Sequence, residues 1–252
     1  MYRSGNPALN DLTFEKSAYK EVSWWEDSES NLMSMNGVVD KTALLLTIVT
    51  LTAIAVYLTV PISLFLSLLG AIVGFVVALI IIFSGSMNPI LICTYAACQG
   101  LFLGGITWII EYQYNAPGLG IVAAVLTFLI LGVMLSIYRA GLISWNENMQ
   151  IAVTSSMVAI LLIYLVSFIG SFVGFEVPLI HGNGAVGIAF SVFVVGIASL
   201  CLVADFDFIE RGVERGAPKQ LEWRAAFGLL VTLIWLYLEI LKLLAKLAAS
   251  RR

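Results

Sequence analysis

The chain has 252 residues, 60% of them hydrophobic and only 12% charged, against about 25% charged in ordinary soluble domains. A mean hydropathy of +0.99 and a net charge of −3 exclude a soluble globular domain and leave no basic face for nucleic acid. The three cysteines, Cys93, Cys98 and Cys201, sit in apolar runs as small hydrophobes, with no disulfide framework and no CxxC zinc spacing.

Residues 1–41 are polar, with seven acids against four bases. They lack the short basic start and apolar stretch of a secretory signal and read as a partly disordered cytoplasmic tail. Trp24 and Trp25 suit a membrane interface. From Thr42 to Ile110 no charged residue occurs. A charge at the bilayer centre costs about 2.5–3.5 kcal/mol on insertion scales, so this stretch has room for several spans.

A crossing helix needs about 20 apolar residues. Residues 42–252 offer seven candidates: Thr42–Val60, Ile62–Phe83, Pro89–Ile110, Gly118–Tyr138, Ile151–Gly174, Ala185–Ala204 and Ala225–Leu247. Pro61, Ser84-Gly85-Ser86 and the turn Asn115-Ala116-Pro117-Gly118 punctuate them. The fold class is therefore all-α, a polytopic membrane protein with seven transmembrane helices. The last segment has two readings. Its uncharged part, Ala225–Leu238, is short, and Glu239, Lys242 and Lys246 follow. It either spans, buried by the other six helices, or re-enters.

Nine Lys and Arg residues in the tail and in the four-to-five and six-to-seven loops fall on one side if all seven segments span. By the positive-inside rule the N-terminus is then cytoplasmic, with Arg251 and Arg252 as exceptions on the far side. Gly70-xxx-Gly74, Ala96-xxx-Gly100-xxx-Gly104 and Gly170-xxx-Gly174 are small-residue stripes that let helices approach in lipid; none is a phosphate loop.

Ionisable residues inside spans point to function. Asp205 and Asp207 stand at the end of span six, and Glu239 lies within span seven. The two aspartates are roughly 200° apart around a helix, so only one can face a given neighbour. The bland reading is a hydrated helix end for the aspartates. For Glu239 it is a local pair with Lys242, with Lys242 and Lys246 reaching towards water. The sharper reading is a carboxylate pair, Asp205 with Glu239, sharing a proton and titrating as a unit. Ionised, it would attract a hard cation such as calcium as a transient ligand. A hairpin turning near residue 222 would set the two level, whereas a turn at Gly216-Ala217-Pro218 would offset them by roughly 15 Å.

Leu202-Val-Ala-Asp-Phe-Asp-Phe-Ile, Ala217-Pro-Lys-Gln-Leu-Glu-Trp, Thr232-Leu-Ile-Trp-Leu-Tyr-Leu-Glu-Ile-Leu and Leu243-Leu-Ala-Lys-Leu resemble a bacterial branch of the Bax-inhibitor family, the transmembrane Bax-inhibitor-motif proteins. Ser4-Gly-Asn-Pro-Ala-Leu and Tyr95-Ala-Ala-Cys-Gln-Gly-Leu-Phe-Leu-Gly resemble it as well. The resemblance implies seven helices with the last one central in the bundle. It also implies a pH-sensitive calcium leak, gated by an acid on helix six (Asp205, by its Ala-Asp-Phe context) and an acid on helix seven (Glu239, by Leu-Tyr-Leu-acid-Ile). Calcium is then the permeating ion and no cofactor is expected. The location implied is the bacterial inner membrane. The sequence departs from its relatives in three ways. The helix-seven acid is Glu where some have Asp. The basic latch that some carry in the early helices is absent or supplied by Lys242. Gln99, which cannot titrate, stands near where related sequences carry Glu.

An enzyme is not expected. The single histidine, His181, is in a Pro/Gly-rich loop, and no HExxH or GxSxG occurs. A retinal protein would need a carboxylate on span three to balance a lysine on span seven, and span three has none. The rival functional reading is a membrane stress factor that binds and restrains a membrane protease or other membrane machinery, with the tail as its handle.

Overall fold

The computed structural model describes residues 31–59, 64–173, 182 and 184–250. Among these the regular structure is helical: α1 Met35–Thr59, α2 Leu64–Ser84, α3 Pro89–Gln113, α4 Leu119–Arg139, α5 Glu147–Val173, α6 Ala185–Glu214 and α7 Leu221–Ser250. All seven are long and apolar enough to cross a membrane. Trp24, Trp25, His181, Gly174 and most of the polar tail lie outside the described residues.

The helices outrun the apolar runs at their charged ends. α1 begins at Met35, so Asp40 and Lys41 are helical, and α6 continues ten residues beyond Ala204. Hydropathy marks only the part of a helix inside hydrocarbon, while the backbone ladder continues through the headgroup layer, where charge is hydrated. Asp205 and Asp207 therefore lie inside α6 rather than at its end.

Short polar residues fix the starts. The Gly37 amide donates to Ser34 Oγ at 3.0 Å, that of Ile90 to Asn88 Oδ1 at 2.9 Å with Pro89 as the first helical residue, and that of Met149 to Asn146 Oδ1 at 2.9 Å. Each satisfies an amide that the helix itself cannot. α4 has Gly118 at its start, with φ 87° and no side chain to offer. Glu111 of α3 takes over that role, accepting from the Gly120 amide at 2.7 Å. α6 ends at Glu214 and is followed by Gly216, φ 65°. There the Ala217 amide reaches the Gly212 carbonyl and the Gly216 amide the Val213 carbonyl, each at 3.0 Å. This is the paired-bond stop that left-handed glycine permits. The turn thus falls at Gly216-Ala217-Pro218 rather than near residue 222.

α7 is one unbroken helix of 30 residues, about 45 Å long. That is long and apolar enough for a full crossing. It is also the most enclosed helix: 61% of its apolar window is buried, against 50% for α3 and α6 and 17% for α4 and α5. The helices with little burial expose large apolar side chains, as Phe83 (84%) does on α2. Such surfaces are stable against lipid and not against water.

The chain divides into two compact units, Met1–Ile109 with Asp205–Val231, and Ile110–Ala204 with Thr232–Arg252. In the first, the glycine stripes are packing faces. Gly70 and Gly74 of α2 face Cys98, Gln99 and Leu101 of α3, and Gly100 and Gly104 of α3 face Val49, Thr52 and Ala53 of α1. Phe227 of α7 is fully buried and meets the Tyr95 ring edge-on at 4.9 Å. In the second unit, Trp145, Val153, Ile160, Val194, Ile197 and Cys201 form a core, and Cys201 Sγ lies 3.3 Å from Met157 Sδ.

These faces predict where a single methyl group is tolerated. At Gly104 a Cβ would fall on the Ala53 carbonyl, whereas at Gly132 of α4 it meets nothing within 4 Å. Gly104→Ala should lower thermal stability in detergent by about 1–3 kcal/mol, the usual range for overpacking. Gly132→Ala should leave it unchanged or slightly raised. Equal effects would contradict the close α1–α3 approach.

Candidate functional site: buried carboxylates on the last two helices

Along α7, Trp235, Glu239, Lys242 and Lys246 recur at spacings of four, three and four, which puts them on one face. Glu239 is 2% exposed. Tyr164 of α5 directs its hydroxyl between both carboxylate oxygens, at 2.9 Å from each. Trp235 Nε1 donates to Oε1 at 3.1 Å, and Lys242 Nζ donates to the same oxygen at 2.6 Å. Lys242 also donates to Tyr164 Oη at 3.1 Å, and its ammonium lies 4.5 Å from that ring's centroid. The carboxylate is thus neutralised within its own helix and held by a second one.

One turn further on, Lys246 does not reach towards water. It is 7% exposed and donates to the Gly187 carbonyl at 3.0 Å and to Ser191 Oγ at 2.8 Å, both near the start of α6. Of the two readings weighed for this face, the one in which Lys246 snorkels does not hold, because two neutral oxygens of a packed helix offer an ammonium what headgroup water would.

Asp205 is fully buried, at 0%. It sits nine residues before Glu214, the end of α6, and Glu239 sits eighteen after Leu221, the start of α7. Asp205 belongs to the first unit and Glu239 to the second. Asp207 accepts from Arg211 Nη2 at 3.0 Å, an i,i+4 ion pair with both side chains partly exposed. Its charge is engaged locally, as expected for the aspartate on the other side of the helix. Gln99 is half-buried and faces Gly74 of α2. Among the described residues no group of three or more His, Cys, Asp and Glu gathers as a metal site.

Sequence reading missed Tyr164 and Trp235 as partners of Glu239. Trp235 had a signal, since it stands four residues before the acid and hence on its face. Tyr164 had only a weak one, a phenol in an apolar span, where a buried hydroxyl needs a partner.

The model of the family described as Bax inhibitor 1 like matches residues 6–249. The chain belongs to that family. No curated protein matches it. Seven membrane-length helices and this membership together make it an integral membrane protein. Of the stretches that carried the resemblance, Ser4–Leu9 lies outside the described residues, and the others have places in the fold. Leu202–Ile209 runs through α6, Ala217–Trp223 forms the turn and the first residues of α7, and Thr232–Leu241 carries Glu239.

Removing one member of a buried ion pair costs more than removing both, because a lone charge stays behind. Lys242 is 38% exposed at its side chain, so Lys242→Met should cost about 1–2 kcal/mol rather than the full penalty for a dry pair. The double variant Lys242→Met/Glu239→Gln should recover most of that loss in thermal unfolding. A double variant less stable than the single would show that the ammonium does not serve Glu239.

Proposed function

We propose that this protein is a pH-sensitive calcium leak pathway, and not an enzyme, in which Asp205 and Glu239 are the titrating acids. The observation that carries the reading is that α6 and α7 each hold a carboxylate at or below 2% exposure within a membrane-length helix. Such placement costs several kcal/mol, and the cost is retained where protons or ions are handled. Family membership and the match of both acids to the family's motif support it. Calcium, a hard cation, takes carboxylate oxygens, here as permeant and not as resident cofactor.

Protonation of either acid changes the hydrogen bonds its helix makes. One pKa unit of difference between two conformations is worth about 1.4 kcal/mol, a tenfold shift in an open–closed equilibrium. The groups set around Glu239 are Tyr164, Trp235 and Lys242, with Lys246 next along the face. The reading sets the protein in a bacterial inner membrane with its N-terminus cytoplasmic, supported by the nine Lys and Arg residues of the tail and two loops.

The test is calcium flux from liposomes holding the purified protein alone, across a pH series. Wild type should pass calcium down its gradient without nucleotide and vary with pH. Asp205→Asn and Glu239→Gln should each flatten the pH response in folded protein. If the acids titrate as a unit, the double variant should be no flatter than either single one. Asp207→Asn, whose carboxylate is engaged by Arg211, should change it least. Equal loss from all three, or no flux in wild type and every variant, would overturn the leak and favour a role in binding membrane machinery such as a protease.

A further inference from the structure

The turn between α6 and α7 is not held by those two helices alone. Residues 31–34 run antiparallel to it. The Met33 amide donates to the Ala217 carbonyl at 2.6 Å, and the Lys219 amide to the Asn31 carbonyl at 2.8 Å. These bonds bracket Leu32 and Pro218, which face each other as a bridge pair of the kind that exchanges no bonds of its own. Proline fits that place because no amide is asked of it.

The same segment then clasps the start of α7. Glu222 is fully buried, at 0%, although it is the second residue of its helix. Its Oε1 accepts from the Ser34 amide at 2.9 Å and from Ser34 Oγ at 3.1 Å, and its Oε2 is ion-paired with Lys41 Nζ. The Lys41 ammonium also lies 5.4 Å from the centroid of the Trp223 ring, within cation–π range. Ser34 Oγ accepts from the Gly37 amide while donating to Glu222, so both faces of the hydroxyl are used. A Cβ at Gly37 would fall on the Glu222 carboxylate, so the glycine lets the carboxylate lie against α1.

We propose that residues 31–41 are an autoinhibitory strap, which when closed holds the α6–α7 turn and the first turn of α7 and restrains the leak, and when released lets it rise. This inference rests on the leak reading above. The strap bonds to the segment joining the two helices that carry Asp205 and Glu239. α7 is unbroken, so displacement at Glu222 is carried along its axis to Glu239, 17 residues on and roughly 25 Å away. Two backbone bonds and one polar cluster form the contact, with Met33 and Val38 as the strap's buried apolar side chains. Opening it locally uncovers those two apolar side chains and leaves the rest of the core packed.

The experiment fixes the strap covalently. In protein with Cys93, Cys98 and Cys201 replaced by alanine, Leu32→Cys and Pro218→Cys stand at the bridge pair, where opposed residues lie close enough for a disulfide. Calcium flux from liposomes is compared oxidised and reduced, beside wild type, Glu222→Gln and Lys41→Met. Helical circular dichroism and monodisperse elution confirm folding. The oxidised pair should leak at least threefold less than the same protein reduced, and the two clasp variants should leak several-fold more than wild type. Equal flux from oxidised and reduced protein, with wild type leaking, overturns the strap and leaves the leak. A silent wild type with leaking clasp variants supports the strap as a closed lock. Silence in every protein overturns both.

Discussion

The constraint on which this structure depends is that a charge held among lipid-length helices must be given its partners by the protein. α7 concentrates that demand. It carries Glu222, Arg224, Glu239, Lys242 and Lys246, and Glu222, Glu239, Lys242 and Lys246 are each answered by a neighbour within their own unit. Ser34 and Lys41 serve Glu222, Tyr164 and Trp235 serve Glu239 beside Lys242, and Gly187 and Ser191 serve Lys246. Among the described residues α7 holds four of the six buried charged side chains, and Glu111 of α3 and Asp205 of α6 are the other two. Its being the most enclosed of the seven follows from what it carries.

The seven spans were legible because hydrocarbon accepts only long apolar runs, and the runs are there. The ends were less so. α6 reads as stopping at Ala204, where hydropathy falls, yet it continues to Glu214, since a helix leaving hydrocarbon has no reason to unwind. The same blindness set Asp205 at a helix end when it is fully buried. Local spacing did report the Glu239–Lys242 pair, three residues apart on a helix face. It could not report Tyr164, 75 residues away, or the clasp between Lys41 and Glu222, 181 residues apart. Glu222 was visible only as a letter in a family motif, and nothing local distinguishes it from an ordinary acid in a helix's first turn, where the dipole favours one. The alternative in which Lys246 snorkels fails for a related reason, because snorkelling is the default for a lysine near a helix end and the oxygens that replace water come from α6.

The chemistry at Glu239 differs from that at Asp207 in a way that bears on function. Asp207 and Arg211 form a pair with both side chains partly exposed, and such a pair contributes little beyond solubility. Glu239 shares its bonds among a phenol, an indole and an ammonium at 2% exposure, so a change in its protonation alters several contacts at once. Asp205 of α6 is buried to a similar degree.

Infrared difference spectroscopy of the protein in lipid, stepped through pH, reads the carboxylic-acid carbonyl stretch directly. Acidification across the range in which flux varies should raise a protonated-carboxyl band. That band should shrink in Asp205→Asn and in Glu239→Gln and persist in Asp207→Asn. A band identical in wild type and all three variants would contradict the assignment of Asp205 and Glu239 as the groups that sense protons.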